Sequence, residues 1–113
     1  MNTLGNQAEK VALSYLEQQG LTLIIKNYQT RFGEIDLIMQ DGKNIVFIEV
    51  RLRKNNNFGG ASESITQAKQ RKIAKVAEQF LQQHGNQACR FDAILMDKAD
   101  IQHIQWIKDA FEV

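Results

Sequence analysis

The chain has 113 residues, enough for one domain that buries most of its apolar surface without disulfides or a metal. With 43% hydrophobic and 24% charged residues it has the composition of an ordinary globular protein. Residues 1–10 have no apolar core of signal-peptide length, and no run approaches the roughly 20 apolar residues that a membrane span needs. The net charge of +1 does not decide for or against a polyanionic partner. We therefore expect a single domain over residues 1–113, cytoplasmic and not membrane-bound.

Cys89 is the single cysteine, so no internal disulfide can form. It falls in a run with strand character, which predicts a buried and inert thiol. A reducing compartment is consistent with this cysteine usage.

The first predicted element is an amphipathic helix that starts near Leu4 and ends near Gly20. Its apolar residues recur every three or four positions, at Leu4, Ala8, Val11, Ala12, Tyr15 and Leu16. Glu9 lies on the flank of this stripe, and its ordinary interpretation is an exposed helical glutamate.

Three strands in a meander are predicted next. Residues 21–28 form the first strand, and residues 34–40 and 44–53 form a hairpin around a turn at 41–43. Because side chains alternate across a strand, one face of the hairpin is wholly apolar. That face comprises Ile35, Leu37, Met39, Val46, Ile48, Val50 and Leu52.

The opposite face of the hairpin brings two carboxylates together. With the predicted turn, paired residues have numbers that sum to 85, so Asp36 faces Glu49 and Glu34 faces Arg51. Directly opposed side chains have Cβ atoms about 5 Å apart, and like charges placed there are destabilising. A hard divalent ion such as Mg²⁺ would compensate, since it is held by one or two carboxylates plus water and substrate phosphate. The alternative left open by this geometry is a solvated polar face on which Glu34 pairs with Arg51.

A polar loop after residue 53 leads into a long helix. Ser64 and Gln67 resemble a capping box, and the helix is expected to run to about His84 and stop at Gly85. Its inward stripe is predicted to be Ile65, Ala68, Ile73, Val76, Ala77, Phe80 and Leu81.

The fourth and fifth predicted strands cover residues 88–96 and 101–107. The element order is therefore α-β-β-β-α-β-β. A strand-helix-strand crossover demands parallel pairing of its strands, whereas the hairpin is antiparallel. The predicted fold class is thus α/β, a mixed sheet with helices packed on it.

Basic residues concentrate next to the carboxylate pair in the sequence. Seven of the 14 fall between positions 51 and 75, namely Arg51, Arg53, Lys54, Lys69, Arg71, Lys72 and Lys75. Such clustering is expected where a phosphate backbone crosses a site. The alternative is a lysine-rich, solvated helix face.

The spacing of Asp36 and Glu49-Val50-Arg51, after a helix that bears Glu9, is similar to the PD-(D/E)xK nuclease signature. A wider set of motifs resembles the YraN family of bacterial proteins over nearly the whole chain. These motifs are Gly33-Glu34-Ile35-Asp36, Phe47-Ile48-Glu49-Val50-Arg51, Lys69-Gln70 and Arg90-Phe91-Asp92. The resemblance implies a restriction-endonuclease-like fold, related to archaeal Holliday-junction resolvases.

The resemblance also implies roles for individual residues. Asp36 and Glu49 would bind Mg²⁺ or Mn²⁺, and Glu9 would support them. Arg51 stands where the superfamily normally has a lysine that orients or activates water. Arginine, with a pKa above about 12, stays charged and serves only as a phosphate clamp, so Lys69 or Lys54 could take the lysine's place. Gln70 joins the clustered basic residues as a predicted nucleic-acid contact.

Three functional hypotheses follow. The first is a metal-dependent endonuclease that acts on DNA, with branched or junction DNA as a candidate substrate. The second is a catalytically weakened or inactive nucleic-acid-binding module on the same fold. The third is a scaffold for another protein, which the clustered basic residues disfavour. Junction resolvases usually work as dimers, so a homodimer is a further expectation.

Overall fold

The computed structural model describes residues 4–52, 65–97 and 101–112. The helices and strands follow one another in the predicted order α-β-β-β-α-β-β, with one short 3₁₀ helix before the last strand. In chain order the elements are α1 (Leu4–Gln18), β1 (Thr22–Thr30), β2 (Gly33–Asp41), β3 (Asn44–Leu52), α2 (Gln67–His84), β4 (Cys89–Met96), the 3₁₀ helix (Ile101–His103) and β5 (Ile104–Ile107).

The five strands form one mixed sheet in the order β1-β2-β3-β4-β5. Only the β3–β4 pair of this sheet is parallel, because α2 carries the chain back across the sheet between them. The hairpin register is the predicted one, since Leu37 pairs with Ile48 and Asp41 pairs with Asn44. The predicted fold class is confirmed: this is a restriction-endonuclease-like core.

The two α-helices of the described residues, α1 and α2, cover opposite faces of the sheet. Ala8, Ala12 and Leu16 of α1 pack on Leu37, Met39, Val46 and Ile48. Ile73, Val76, Ala77 and Phe80 of α2 pack on Ile38, Ile45 and Phe47. Each large apolar side chain buried in this way contributes about 1.5–3 kcal/mol. The hairpin face that we considered as a solvated polar surface is therefore mostly core.

Alternation along β2 breaks at Asp36, and the prediction for Ile35 is wrong. Ile35 packs in the α2 cluster, whereas Leu37 packs in the α1 cluster. The cause lies in β1, where Asn27 has a left-handed φ of 54° between the partners of these two residues. Lys26, opposite Leu37, lies on the α1 side, while Tyr28, opposite Ile35, packs against α2. A left-handed residue turns the strand over, and both strands change faces at the same place.

The start of α2 also differs from the prediction. Thr66 is the N-cap, and its hydroxyl accepts a hydrogen bond from the Lys69 amide at 3.2 Å. Ser64, the predicted cap, lies outside the described residues. Ala68, predicted to lie on the inward stripe, is exposed. The helix ends at Gly85 as predicted, with a φ of 102° that favours glycine.

The C-terminal part of the chain is organised around Asp92, which is fully buried. Its carboxylate accepts hydrogen bonds from Arg90 Nε at 3.0 Å, Trp106 Nε1 at 2.9 Å and the Asp109 amide at 3.0 Å. Arg90 also forms an ion pair of 2.9 Å with Asp41, at the end of β2. These donors offset the cost of burying the charge, and they tie β4, β5 and the hairpin together.

Two further differences concern the second half of the chain. Residues 101–103 form the 3₁₀ helix, so the fifth strand starts only at Ile104. Cys89, which we expected to be buried, is exposed because it is the first residue of β4. Within the described residues, no helix combines the length and the hydrophobicity needed to cross a membrane.

Candidate active site

Asp36 lies where β2 and β3 part. The described pairing of these strands ends at Leu37 and Ile48, and beyond it the Val50 amide donates to Asp36 Oδ2 at 2.8 Å. The carboxyl group of Asp36 reaches hydrogen-bonding contact with Glu49 of β3, as the register predicts. It also forms a hydrogen bond with Glu9 of α1. Three acidic residues, Glu9, Asp36 and Glu49, thus form one acid cluster.

The environment of Asp36 disfavours its charge. Burial raises its pKa most, the negative charge of Glu49 and a hydrogen bond between the two carboxyl groups raise it further, and the Val50 amide opposes these effects. The resulting pKa is about 7. Near neutral pH Asp36 is therefore only partly ionised, and a cation placed beside it would compete with its proton.

Glu49 is a buried carboxylate held by two cations. The residue is only 4% exposed, and its Oε2 lies 3.2 Å from Lys69 Nζ and 3.4 Å from Arg51 Nη2. Arg51 therefore pairs with Glu49 and not with Glu34, the alternative considered for a solvated hairpin face. Arg51 Nε is shielded from solvent without a hydrogen-bond partner among the described residues. Lys69 comes from α2, so this helix supplies an ammonium group directly to the acid cluster.

Glu9 is half-buried on α1 and is positioned by Asn27. The Asn27 side-chain amide donates to Glu9 Oε1 at 2.9 Å. Burial raises the pKa of Glu9, Asp36 raises it further, and the hydrogen bond from Asn27 lowers it. Asn27 is not among the site residues predicted from the sequence. The available signal was weak: asparagine tolerates the left-handed conformation better than most residues.

The remaining predicted contacts differ in their surroundings. Lys69, Lys72 and Lys75 recur every three residues along α2, and Arg71 is exposed next to them. The Gln70 side chain donates to the Ile65 carbonyl at 3.0 Å, so it supports the start of the helix. The other two, Arg53 and Lys54, lie outside the described residues.

Two residues of the acid cluster, Asp36 and Glu49, suit a hard divalent ion as a pair of ligands. Over residues 4–52, 65–97 and 101–112, no group of three or more His, Cys, Asp or Glu side chains is arranged to hold one ion. Asp36 and Glu49 provide adjacent carboxylate oxygens, the donors that Mg²⁺ and Mn²⁺ prefer, and Mg²⁺ commonly keeps several waters and takes further ligands from substrate phosphates. Lys69 and Arg51 lie beside Glu49, whereas burial and the charge of Glu49 raise the pKa of Asp36, so Asp36 is the carboxyl group of the pair whose charge is least compensated.

Comparison with known proteins places these residues in a family. A model of the uncharacterised protein family UPF0102 matches residues 8–96, a range that includes the acid cluster, Lys69 and the Arg90-Phe91-Asp92 motif. The chain belongs to this family. The resemblance to the YraN family is thereby confirmed, since the two names denote the same family.

Relatives in the UPF0102 family cover almost the whole chain. A UPF0102 protein of Methylobacillus flagellatus is 55% identical over 98% of this chain and 98% of its own length. One from Psychromonas ingrahamii is 53% identical over 98% of this chain and 91% of its own length. A third, from Nitrosospira multiformis, is 49% identical over 96% of this chain and 92% of its own length.

Proposed function

We propose that this UPF0102 protein is a Mg²⁺- or Mn²⁺-dependent endonuclease that hydrolyses phosphodiester bonds in DNA, with branched or junction DNA as a candidate substrate. The observation that carries the proposal is the convergence of Asp36 and Glu49, beside Lys69 and Arg51, where two central strands part. A buried carboxylate pair is costly in a purely structural position. Placed next to a row of lysines, it suits a negatively charged substrate whose phosphate completes the site.

Each residue has a chemical task in this proposal. Asp36 and Glu49 would hold the ion, which when bound lowers the pKa of water and neutralises charge on the phosphate. Arg51 is a permanent cation and acts as a phosphate clamp. Lys69 Nζ, 3.2 Å from Glu49, supplies the ammonium group that the superfamily usually takes from the position of Arg51. Glu9, oriented by Asn27, receives or releases a proton at Asp36.

The metal site can be tested before any substrate is chosen. Titration calorimetry of Mn²⁺ into the wild-type protein should show binding, and Glu49→Gln should abolish or strongly weaken it. Glu17→Gln, an exposed change elsewhere on α1, is the control that should bind as the wild type does. Equal Mn²⁺ affinity in wild-type and Glu49→Gln proteins would exclude the proposed ligand pair.

Cleavage is tested with labelled four-way junction, duplex and single-stranded DNA in Mg²⁺ or Mn²⁺. The wild type should cleave and Asp36→Asn should not. Lys69→Met should lower the rate by about 10²–10⁴-fold, the usual contribution of a positioned proton-transfer group. A wild-type preparation that cleaves none of the three substrates with either ion would contradict the proposal.

A second candidate function, a DNA-binding module without cleavage, is favoured by one observation. Arg51 occupies the lysine position, and an arginine cannot take part in proton transfer. In that case DNA affinity should survive Asp36→Asn unchanged, and Arg51→Lys should produce no cleavage. Cleavage gained by Arg51→Lys would instead show that the rest of the site is competent.

A further inference from the structure

The turn between β1 and β2 brings two cations over one aromatic ring. The guanidinium carbon of Arg31 lies 4.9 Å from the centroid of the Phe32 ring, and Lys75 Nζ of α2 lies 5.6 Å from the same centroid. The attraction of each cation to the ring helps to hold it in place. Two positive charges from different elements thus lie against the same aromatic ring.

This turn is fixed against α2 and does not project freely. The Phe32 amide donates to Thr30 Oγ1 at 3.0 Å, and the Phe32 ring packs on the edge of the α2 cluster. The next residue, Gly33, has a φ of 145°, and a Cβ added there would meet Lys72 Cβ at 3.9 Å. The backbone therefore approaches the helix closely, and the ring that carries the two cations is anchored on both sides.

The two cations line an open cleft of about 460 Å³. Neither Arg31 nor Lys75 forms an ion pair with any of the residues that the structure describes. Glu78, which also lines the cleft, offsets part of their charge and leaves an excess of one positive charge. The cleft thus has an excess of positive charge that an anion could neutralise.

The cleft lies along α2, the helix that also contacts the acid cluster. Lys69 contacts Glu49, and Lys75 lies six residues further along α2, which corresponds to about 9 Å along the helix axis. Lys72 lies between them, so the helix presents one basic residue every three positions from the acid cluster to the cleft.

We propose that Arg31 and Lys75, held against Phe32, bind a backbone phosphate of the substrate strand, next to the phosphate region at the acid cluster. This inference rests on the proposed function, because it assumes a polynucleotide at the acid cluster. It assigns two residues, Arg31 and Phe32, that lie outside the nuclease motif. It also predicts that the strand runs along α2 from Lys69 towards Lys75.

The test measures binding of a fluorescein-labelled four-way junction by anisotropy, in EDTA, over 50–200 mM NaCl. Losing one phosphate contact should make the slope of log K against log[NaCl] shallower by about 0.9. We expect this change in Arg31→Ala/Lys75→Ala, with affinity at 50 mM NaCl lower by about tenfold. The single variants Arg31→Gln and Lys75→Gln should each show part of the loss, and they serve if the double variant does not fold.

The matched control removes two cations elsewhere. Lys43→Ala/Lys108→Ala gives the same net charge, and Lys108 also lies over an aromatic ring, 4.4 Å from the centroid of Trp106. This control should bind with the wild-type slope and affinity. If wild type binds and cleaves DNA but the target and control variants behave alike, the phosphate subsite is wrong and the nuclease proposal stands. If wild type binds no DNA at 50 mM NaCl, both proposals fail.

Discussion

Asp36 is the residue at which stability and the proposed chemistry oppose each other. A carboxyl group with a pKa of about 7 is held in surroundings that favour its neutral form, whereas metal binding needs the carboxylate. The burial that disfavours ionisation of Asp36 in the folded protein would also strengthen the attraction of the Asp36 carboxylate for a cation. Removing the charge should therefore stabilise the protein while abolishing metal binding.

The pH dependence of this effect has a defined sign. The pKa of Asp36 is higher in the folded state than its unfolded value of about 3.9, so the folded state binds the proton more tightly. The stabilising contribution is present below about pH 4 and is lost as the pH rises through about 7.

We therefore predict that Asp36→Asn raises Tm at pH 8 in EDTA and has little effect at pH 4. The asparagine oxygen can still accept the Val50 amide, so the gain should be about 1 kcal/mol or more, equivalent to about 4–8 °C. Calorimetric melting at both pH values measures it, with Glu17→Gln as the exposed control. A Tm difference that is the same at pH 4 and pH 8 would contradict the assigned pKa.

Asn27 combines backbone conformation with side-chain bonding, and two substitutions separate these roles. Asn27→Gly keeps access to the left-handed φ of 54° but loses the bond to Glu9, whereas Asn27→Ala loses both. We predict that the alanine variant is less stable than the glycine variant by about 1–2 kcal/mol, measured by urea unfolding. Equal stability of the two variants would show that the left-handed conformation carries no cost here. Both variants should weaken Mn²⁺ binding relative to wild type.

At the scale of elements, α2 carries both Lys69 and Lys75, so its start must be held in place. The Thr66 hydroxyl bonds to the amide of Lys69, the residue whose ammonium group contacts Glu49. We predict that Thr66→Ala costs about 1 kcal/mol, the usual effect of losing an N-cap, and that Thr66→Ser restores most of it. Thermal melting checks both variants. Stability unchanged in Thr66→Ala would mean that another group caps the helix.

The elements differ in how far their sequence could predict them. The hairpin register followed from one turn and the alternation of side chains, and α2 followed from its apolar stripe and Gly85. The face of Ile35 could not be predicted, because it depends on the conformation of Asn27 in another strand. Burial of both hairpin faces was underestimated, although strands covered on both sides do have apolar residues on both sides.

The candidate site divides in the same way. The proximity of Asp36 and Glu49 came from local strand pairing, and Glu9 came from the family resemblance. Lys69 contacts Glu49 from a different layer of the fold. The sequence between the two residues has no helical or strand periodicity, so residue spacing alone could not predict this contact. Arg31 and Phe32 escaped notice because they lie in a turn, and only the packing of that turn on α2 brings them near Lys75.

At the scale of the molecule, the Asp92 network connects the far edge of the sheet to the hairpin. We predict that Asp92→Ala destabilises the protein by about 3–5 kcal/mol, because it leaves the mostly buried Arg90 without its main partner. Urea unfolding measures the loss. Asp109→Asn is the control, since only its backbone amide is used and asparagine accepts its left-handed φ of 52°. A loss below about 1 kcal/mol for Asp92→Ala would reduce the network to ordinary surface pairing.

The parting of β2 and β3 at Asp36 is the place where the two helical layers meet through the sheet. Glu9 lies on α1 at one face of the sheet and Lys69 lies on α2 at the other, so each helix supplies a different residue of the site. Detachment of either helix alone would therefore dismantle the constellation while the strands remained paired. On gradual heating, the arrangement of the site residues should be lost before the pairing of the strands. The helix that packs less tightly on the sheet then sets the highest temperature at which the site is intact.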